Sequence, residues 1–295
     1  MRDNVPQVWL TAGQSLFRTD RVITAISGNQ ITLDAPMTDS IDSAYLNPPG
    51  GSLAKYSWDR LTKIGIENLR VTAPAVVQPI SSPMYTLLTM NVVTDSWVRD
   101  LYVKDCTNCI SLSSTSKRLT LEDVVIQHTV TADGSSGYPA DFSMNGTHVL
   151  MNRCKDLGAA NVYTIVTQSQ GTGASVVLNF ESTGAKAIEP HQRWATGFLL
   201  DGIDVAGGVN YVNRGTAGSG QGWAIGWGVA WNSTATTFNV DDPPGAVNWA
   251  IGSKGTTTGS TGTLESSGTF VKPSSLFLAQ MCQRLGPQAI QTLGY

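Results

Sequence analysis

The sequence predicts an all-β fold, a right-handed parallel β-helix whose chain winds in stacked coils, and three observations lead to this prediction. An apolar residue, a variable residue and a turn former recur together between Ile66 and Asn232. Charged residues make up 14% of the 295 residues, against roughly 25% in ordinary domains. Gly, Ser, Thr and Asn are abundant, while helix-forming runs are scarce. Stacked coils of short strands and sharp turns account for all three observations.

The recurring pattern places one turn former in each predicted coil. These residues are 32, 23, 29, 27, 23 and 30 residues apart, a loose period typical of a solenoid with insertions between coils. Asn, Asp and Gly suit these positions because they tolerate the left-handed backbone of a sharp bend between two strands. The predicted turn formers are Asn68, Asp100, Asp123, Asn152, Asn179, Gly202 and Asn232.

The pattern predicts one domain, residues 1–295, because a solenoid grows by adding coils and needs no second core. Residues 1–58 form an accessory segment, in which two alternating strands flank a Gly28-Asn29 turn and predict a β-hairpin. This segment resembles the middle of a chain, so we expect the natural N-terminus to be missing. Residues 59–255 contain the coils.

Residues 256–295 are predicted to contain a loop and a short amphipathic helix. Pro273 and Ser275 precede apolar residues at helical spacing, and Gly286 follows them as a stop signal. The last coil of a solenoid has unpaired strand edges. We therefore expect the helix to cover that open end.

Composition and motifs exclude several partners and cofactors. The net charge of -3 without a Lys/Arg run argues against nucleic acid, and no apolar segment approaches the ~20 residues of a membrane span. Cys106-Thr-Asn-Cys109 has knuckle spacing but lacks a second pair downstream, so no metal site is predicted. We expect buried thiols or a local disulfide instead. The oligomeric state stays open.

Several segments carry a resemblance to a known family. They are the hairpin with Ile31-Thr-Leu-Asp-Ala-Pro36, His191-Gln-Arg-Trp-Ala-Thr-Gly197, Gly220-Gln-Gly-Trp223 through Trp231-Asn232, Pro243-Pro-Gly-Ala-Val-Asn-Trp-Ala-Ile-Gly252, and Ser275-Leu-Phe-Leu-Ala-Gln-Met281 with Arg284-Leu-Gly286. Together they resemble a group of secreted proteins in the pectate-lyase-like β-helix superfamily, over nearly the whole chain.

The resemblance implies a parallel β-helix, an extracellular location and a polysaccharide as partner. It does not imply one activity, because the superfamily contains lyases, hydrolases, esterases, epimerases and noncatalytic coils. This chain begins with polar residues and shows no signal peptide. No cofactor is expected. A calcium ion, which some lyases of the superfamily use, needs several convergent oxygens, and no acidic cluster in the sequence is dense enough.

A polar column is predicted by stepping from His191 and Arg193 by the coil lengths. The catalytic candidates are His191, Arg193, Tyr138 and Asp141, and the substrate-binding candidates are Gln168, Gln221, Trp223, Trp194 and Glu189. If residues 191–193 are extended, His191 and Arg193 share one face of the strand, roughly 7 Å apart.

This column suits β-elimination from a uronate polymer, and the chain is therefore predicted to be a polysaccharide lyase. Arg193 can neutralise the sugar carboxylate by two-point pairing. His191 has the reference pKa of a base near neutrality, and Tyr138 or Tyr163 can protonate the leaving oxygen. The alternative is that His191 and Arg193 form a structural clasp between coils.

Two other functions stay open. A glycoside hydrolase needs two carboxyl groups about 5 to 9.5 Å apart, and Glu181 and Asp204 each follow a turn former by two residues, so adjacent coils can stack them. A noncatalytic glycan-binding or adhesion coil is favoured if the polar column is an internally satisfied network without a groove. Tryptophans on the outside of a coil then serve as platforms for sugar rings.

Overall fold

The described part of this computed structural model confirms the predicted fold class. It comprises residues 17–41, 51–75, 77, 86–131, 140–159, 163–218 and 220–295. A single 21-stranded parallel sheet winds into a β-solenoid, and the two helices described are short and lie near the end of the chain. Neither is long and apolar enough to cross a membrane.

Strand pairing divides each coil into three faces, here called sheets A, B and C, which follow one another along the chain. Within each sheet the strands of successive coils are parallel. Sheet A contains β3 (Leu61–Thr62), the first halves of β4 (Gly65–Thr72) and β6 (Val93–Lys104), β8 (Lys117–Glu122), β11 (Thr147–Asn152), β14 (Thr172–Leu178), β17 (Ala195–Asp201), β19 (Ile225–Trp231), β21 (Trp249–Ile251) and β23 (Thr263–Glu265).

Sheets B and C complete the coils. Sheet B contains the second halves of β4 and β6, β9 (Val125–His128), β12 (Lys155–Gly158), β15 (Glu181–Ser182) and the first halves of β18 (Asp204–Tyr211), β20 (Thr234–Val240) and β22 (Lys254–Thr257). Sheet C contains β5 (Thr86–Met90), β7 (Asn108–Leu112), β10 (Ala140–Met144), β13 (Tyr163–Ser169), β16 (Ala187–Gln192) and the second halves of β18, β20 and β22.

The turn between sheets A and B contains the predicted turn formers. Six of them have positive φ, namely Asn68, Asp100, Asp123, Asn179, Gly202 and Asn232. At the remaining position, the fourth along the chain, the prediction is wrong by one residue, because Arg153, with a φ of 53°, adopts the left-handed conformation in place of Asn152. The Arg153 guanidinium forms a two-point ion pair with Asp123 at the same turn of the preceding coil. This pair holds Arg153 where a β-carbon is disfavoured.

The core is a set of inward columns in which apolar side chains of successive coils stack. On sheet A one column is Val98, Leu121, Met151, Val177, Leu200, Ala230 and Ala250, each in register with the next. Leu121 and Leu200 are fully buried. Because neighbouring strands are about 4.8 Å apart, each side chain contacts those above and below it. The stacking excludes water along the length of the solenoid.

The predicted N-terminal hairpin is confirmed, and it lies against the corner where sheet C leads into sheet A. β1 (Ile23–Ser27) and β2 (Gln30–Leu33) pair antiparallel around Gly28. The segment that follows reaches across several coils. Asp34 accepts from Lys117 Nζ at 3.2 Å, and Asp39 accepts from the indole of Trp194 at 2.6 Å.

The predicted C-terminal helix is confirmed, but its expected position over the last coil is wrong. Helix α1 (Leu276–Leu285) begins against Asp201, whose carboxylate accepts from Ser275 Oγ and from the Phe277 N–H, both at 2.7 Å. A buried anion at a helix N-terminus is favourable because of the helix dipole. After α2 (Pro287–Thr292), Tyr295 reaches Asn152. The helices therefore lie along the side of the coils, at the corner between sheets A and B.

Candidate functional site

His191 lies on sheet C within a chain of hydrogen-bonded side chains, here the His191 network, formed by Glu189, Arg214, Gln221 and His191. Arg214 forms an ion pair with Glu189 and donates through Nε to Gln221 Oε1. The Gln221 amide nitrogen lies 3.2 Å from His191 Nε2. Because Arg214 holds the Gln221 oxygen, the Gln221 NH₂ faces the imidazole and can donate to Nε2.

Burial and charge keep the His191 ring neutral. Its pKa is lowered first by burial and then by the charge of Arg193. The ring meets Tyr163 edge to face, with 5.2 Å between centroids. Neighbouring pairs, Thr167 with Pro190 and Ser169 with Gln192, place His191 beside Gln168. A neutral imidazole next to a tyrosine and an arginine has the groups for proton transfer, but His191 is only 6% exposed.

The extended backbone on which the predicted shared face of His191 and Arg193 depends is absent. β16 ends at Gln192, and both Arg193 and Trp194 have positive φ, at 56° and 71°. The chain therefore turns where extended backbone was expected, so strand alternation does not apply. Tyr138, another predicted catalytic residue, lies outside the described residues.

Several predicted substrate-binding side chains are instead part of packing or ion pairs. Trp194 is 1% exposed and belongs to a cluster with Ala246, against which Trp223 and Trp227 pack. Glu189 is 8% exposed and is held by Arg214, with a further hydrogen bond from Asn210 at 2.9 Å. These side chains stabilise the corner that follows sheet C.

Asp141 is not in the His191 column, which corrects the predicted alignment. Register pairs Ser143 with Val166, so Gln168 meets Asn145, and its N–H donates to the Asn145 side chain. The number of residues that separates paired positions on these two coils is smaller than the spacing of the turn formers suggested, because the intervening loops differ in length. Asp141 instead accepts from buried groups of two neighbouring strands, Cys109 and His128.

Glu181 and Asp204 are directly paired in register on sheet B. Both stand where sequence spacing placed them. Lys155, in register with Glu181 on the preceding coil, binds Glu181 Oε2 at 2.6 Å, and both side chains are nearly half exposed. The carboxylates are part of a solvated charge ladder. An acid catalyst needs the opposite environment.

An open groove on the outer face of sheet A, here the sheet A groove, was not predicted. It has a volume of ≈ 410 Å³ and is lined by Glu67, Asp95, Ser96, Trp97, Arg99, Arg118, Thr120 and Glu122. Trp97 is 37% exposed. Three of its ring atoms lie 2.7 to 2.8 Å from where a β-carbon on Gly65 would stand, so the indole needs glycine beneath it.

Charged pairs fix the side chains around this tryptophan. Trp97 Nε1 donates to Glu67, which also accepts from Arg99 at 2.9 Å. Asp95 and Arg118 form a two-point pair on the adjacent strands. The hydrogen bonds to Glu67 lower the pKa of its carboxyl group, that from Trp97 most. The sequence signal for this groove is the alternation of Trp97 and Arg99 with the buried Val98.

One group of buried side chains has the donor atoms of a metal site. A cysteine sulfur, a histidine nitrogen and a carboxylate oxygen, from Cys109, His128 and Asp141, lie within 4.8 Å of one another. Sequence spacing missed this group because its members come from different coils. Cys106-Thr-Asn-Cys109 was the available signal, and the partners it lacks along the sequence are supplied by the next coil.

No family model, no curated protein and no solved structure matches this chain. The arguments about its function therefore depend on the residues themselves. These offer three chemically distinct arrangements: a hydrogen-bonded polar network around His191, an open groove around Trp97, and a buried group of potential metal ligands.

Proposed function

We propose that this chain is a noncatalytic glycan-binding β-helix that binds a polysaccharide in the sheet A groove. The observation that carries the proposal is the position of Trp97, half-buried on Gly65 and open on the groove side. A fixed aromatic ring offers a large contact area at a low cost in side-chain entropy. The extracellular location and the polysaccharide partner implied by the resemblance belong to the same proposal.

The polar lining of the groove supports binding of a hydroxyl-rich chain. Glu67 and Asp95 are hydrogen-bond acceptors, and Arg99 and Arg118 are donors, on strands of successive coils. Their ion pairs hold them in place before a ligand arrives, which reduces the cost of ordering on binding. Neighbouring strands are about 4.8 Å apart, so an extended polymer can contact several coils at once.

The His191 network supports binding over catalysis, because Gln221 already occupies the Nε2 side of the imidazole. The Nε2 lone pair of His191 can accept from Gln221, whose orientation is fixed by Arg214. A base must offer that lone pair to the substrate. The paired, solvated Glu181 likewise lacks the dry surroundings of an acid catalyst.

Affinity electrophoresis and calorimetry with a panel of neutral and uronate polysaccharides test the proposal. We expect Trp97→Ala to weaken binding about tenfold or more, equivalent to about 1.4 kcal/mol. Gly65→Ala should weaken it as well by displacing the ring. The matched control is Trp58→Ala, because Trp58 is 45% exposed but lies outside the groove. Equal binding by wild type and Trp97→Ala contradicts the proposal.

β-Elimination at His191 is the second candidate, favoured by one observation: a neutral imidazole lies against Tyr163 and near Arg193. Opening of the Gln221 contact would free its lone pair for a substrate proton, with Tyr163 as acid and Arg193 on the carboxylate. Incubation with uronate polymers should then produce ultraviolet absorbance from unsaturated ends. His191→Ala should abolish that signal and leave binding at Trp97 intact. Absence of the signal across the panel contradicts this candidate.

A further inference from the structure

The corner where sheet B leads into sheet C contains four buried side chains of metal-ligating type, here the corner cluster: Cys106, Cys109, His128 and Asp141. They are 3%, 0%, 7% and 0% exposed. Cys106 and Cys109 lie on the turn and strand after β6, His128 ends β9, and Asp141 is in β10. Two successive coils therefore bring them together. None of them belongs to the sheet A groove.

Three ligand atoms of the cluster, from Cys109, His128 and Asp141, lie within 4.8 Å of one another. Cys109 Sγ lies 3.4 Å and His128 Nε2 lies 2.6 Å from Asp141 Oδ1. Zinc bonds of about 2.0 to 2.3 Å at tetrahedral angles separate ligand atoms by about 3.3 to 3.8 Å. The sulfur and oxygen atoms are already at this separation. The nitrogen and oxygen atoms need to move apart by less than about 1 Å.

Cys106 can supply the fourth ligand. Its thiol interacts with the thiol of Cys109, but its sulfur is not one of the three converging ligand atoms and must move toward them to bind the same ion. Two residues separate the cysteines, the spacing by which a tight turn offers two sulfurs to one ion. The Cys109 thiol also contacts the Cys106 carbonyl at 3.3 Å, which keeps the turn compact.

Neighbouring residues hold the ligands in place. Asp105 accepts from the Thr129 N–H at 2.7 Å and from its hydroxyl, which fixes the backbone directly after His128. Asp156, from the next coil, hydrogen-bonds to the carboxyl group of Asp141. Metal-ligating carboxylates are usually oriented by such second hydrogen bonds.

We propose that the corner cluster is a structural zinc site with Cys106, Cys109, His128 and Asp141 as its ligands. On binding, both thiols release their protons to solvent, the imidazole binds through neutral Nε2, and Asp141 binds through one oxygen. Sulfur and imidazole ligands select zinc over calcium or magnesium. Four protein ligands leave no open position, so the ion stabilises the turn and catalyses no reaction.

Metal analysis of protein produced in zinc-supplemented medium tests the site. We expect about one zinc per chain after gel filtration, and a loss of most of it in Cys109→Ser. The matched control is Cys154→Ser. Cys154 is also fully buried, but its thiol contacts the carbonyls of Leu121 and Asn152, which a serine can contact too. This control should keep both its fold and its zinc.

Cobalt reconstitution of the wild-type protein provides a test that needs no variant, in case Cys109→Ser fails to fold. Two thiolates on tetrahedral cobalt give strong charge-transfer absorption in the near ultraviolet and intense visible bands. Zinc below about a tenth per chain, with no such spectrum after reconstitution, overturns the proposal. A disulfide between Cys106 and Cys109 in the non-reduced digest of native protein overturns it too. Polysaccharide binding is unaffected by either outcome, so the two proposals fail separately.

Discussion

The His191 network and the corner cluster lie on the same side of the solenoid, and they arrange their polar atoms in opposite ways. In the network the hydrogen bonds run in series, from Arg214 through Gln221 to His191. In the cluster two donors, Cys109 and His128, point at one oxygen of Asp141. Hydrogen bonds in series do not point at one common position, whereas ligand atoms around a common point suit one shared ion. The convergence of several ligand atoms on one point, more than their burial or polarity, therefore identifies a ligand site in this β-helix.

The largest effect is expected from the apolar core that supports both regions. Leu121 is fully buried and stacks between Val98 and Met151. Leu121→Ala should lower the free energy of unfolding by about 2 to 5 kcal/mol, because it removes contacts and leaves a cavity. Leu285→Ala is the control, since Leu285 is 69% exposed. Denaturant unfolding measures both, and equal losses would contradict the stacked core.

Two glutamates allow a comparison of how much a buried and an exposed ion pair contribute to the free energy of unfolding. Glu189 is buried with Arg214, whereas Glu181 binds Lys155 on the surface. Glu189→Gln should cost about 3 kcal/mol, because the Arg214 charge loses its partner in a partly buried site. Glu181→Gln should cost about 0 to 1 kcal/mol. Unfolding of both variants at one ionic strength decides, and similar costs would show that the His191 network is solvated.

Acid should lower the stability of the protein through His148. Burial lowers the pKa of this histidine, as it does that of His191. Burial, followed by the charges of Arg21 and Lys117, lowers the pKa of His148 to about 4. Below about pH 6.5 the unfolded state therefore binds more protons than the folded state. The part of the stability that depends on His148 is present above about pH 6.5 and is lost progressively as the pH falls toward 4. His148→Gln should flatten the decline in melting temperature between pH 7 and 4.5. An unchanged slope would mean that His148 titrates normally.

The smallest effect is expected at another series of pairs, which fastens the C-terminus to the coils. Asn179 donates to the Tyr295 hydroxyl, and that hydroxyl donates to Asn152, both at 2.7 Å. Tyr295→Phe keeps the ring near Arg153 and removes the hydrogen bonds of the hydroxyl, so we expect a loss of about 1 kcal/mol. Denaturant unfolding checks this value. A loss of zero would mean that the C-terminus is not fastened in solution.

Local chemistry made part of this molecule predictable from its sequence. The turn formers were found because Asn, Asp and Gly relieve the strain of a left-handed bend, and Arg153 was missed because an arginine gives no such signal. The hairpin and the C-terminal helix were found from turn and capping residues. The position of that helix was not, because it depends on Asp201, which reads in the sequence as an ordinary residue before the Gly202 turn.

The sites were harder to predict because they depend on register between coils. A four-residue difference in the step between coils moved Asp141 out of the His191 column and beside Cys109. Loop length sets such steps, and no local pattern encodes it. Glu181 and Asp204 aligned as predicted because each is measured from the nearest turn former, with no loop in between.

The two accessory segments also affect how the solenoid unfolds. A stack of coils that contact only their neighbours can open progressively from either end. Here the N-terminal segment binds Lys117, Gly173 and Thr196, and the C-terminal segment binds Arg153 and Asp201. Each terminal segment therefore holds coils that are far apart along the solenoid axis. Separation of one bound coil from the stack must break hydrogen bonds to a segment that also holds other coils. Hydrogen exchange in these coils should therefore be slow and nearly uniform, as in a globular domain.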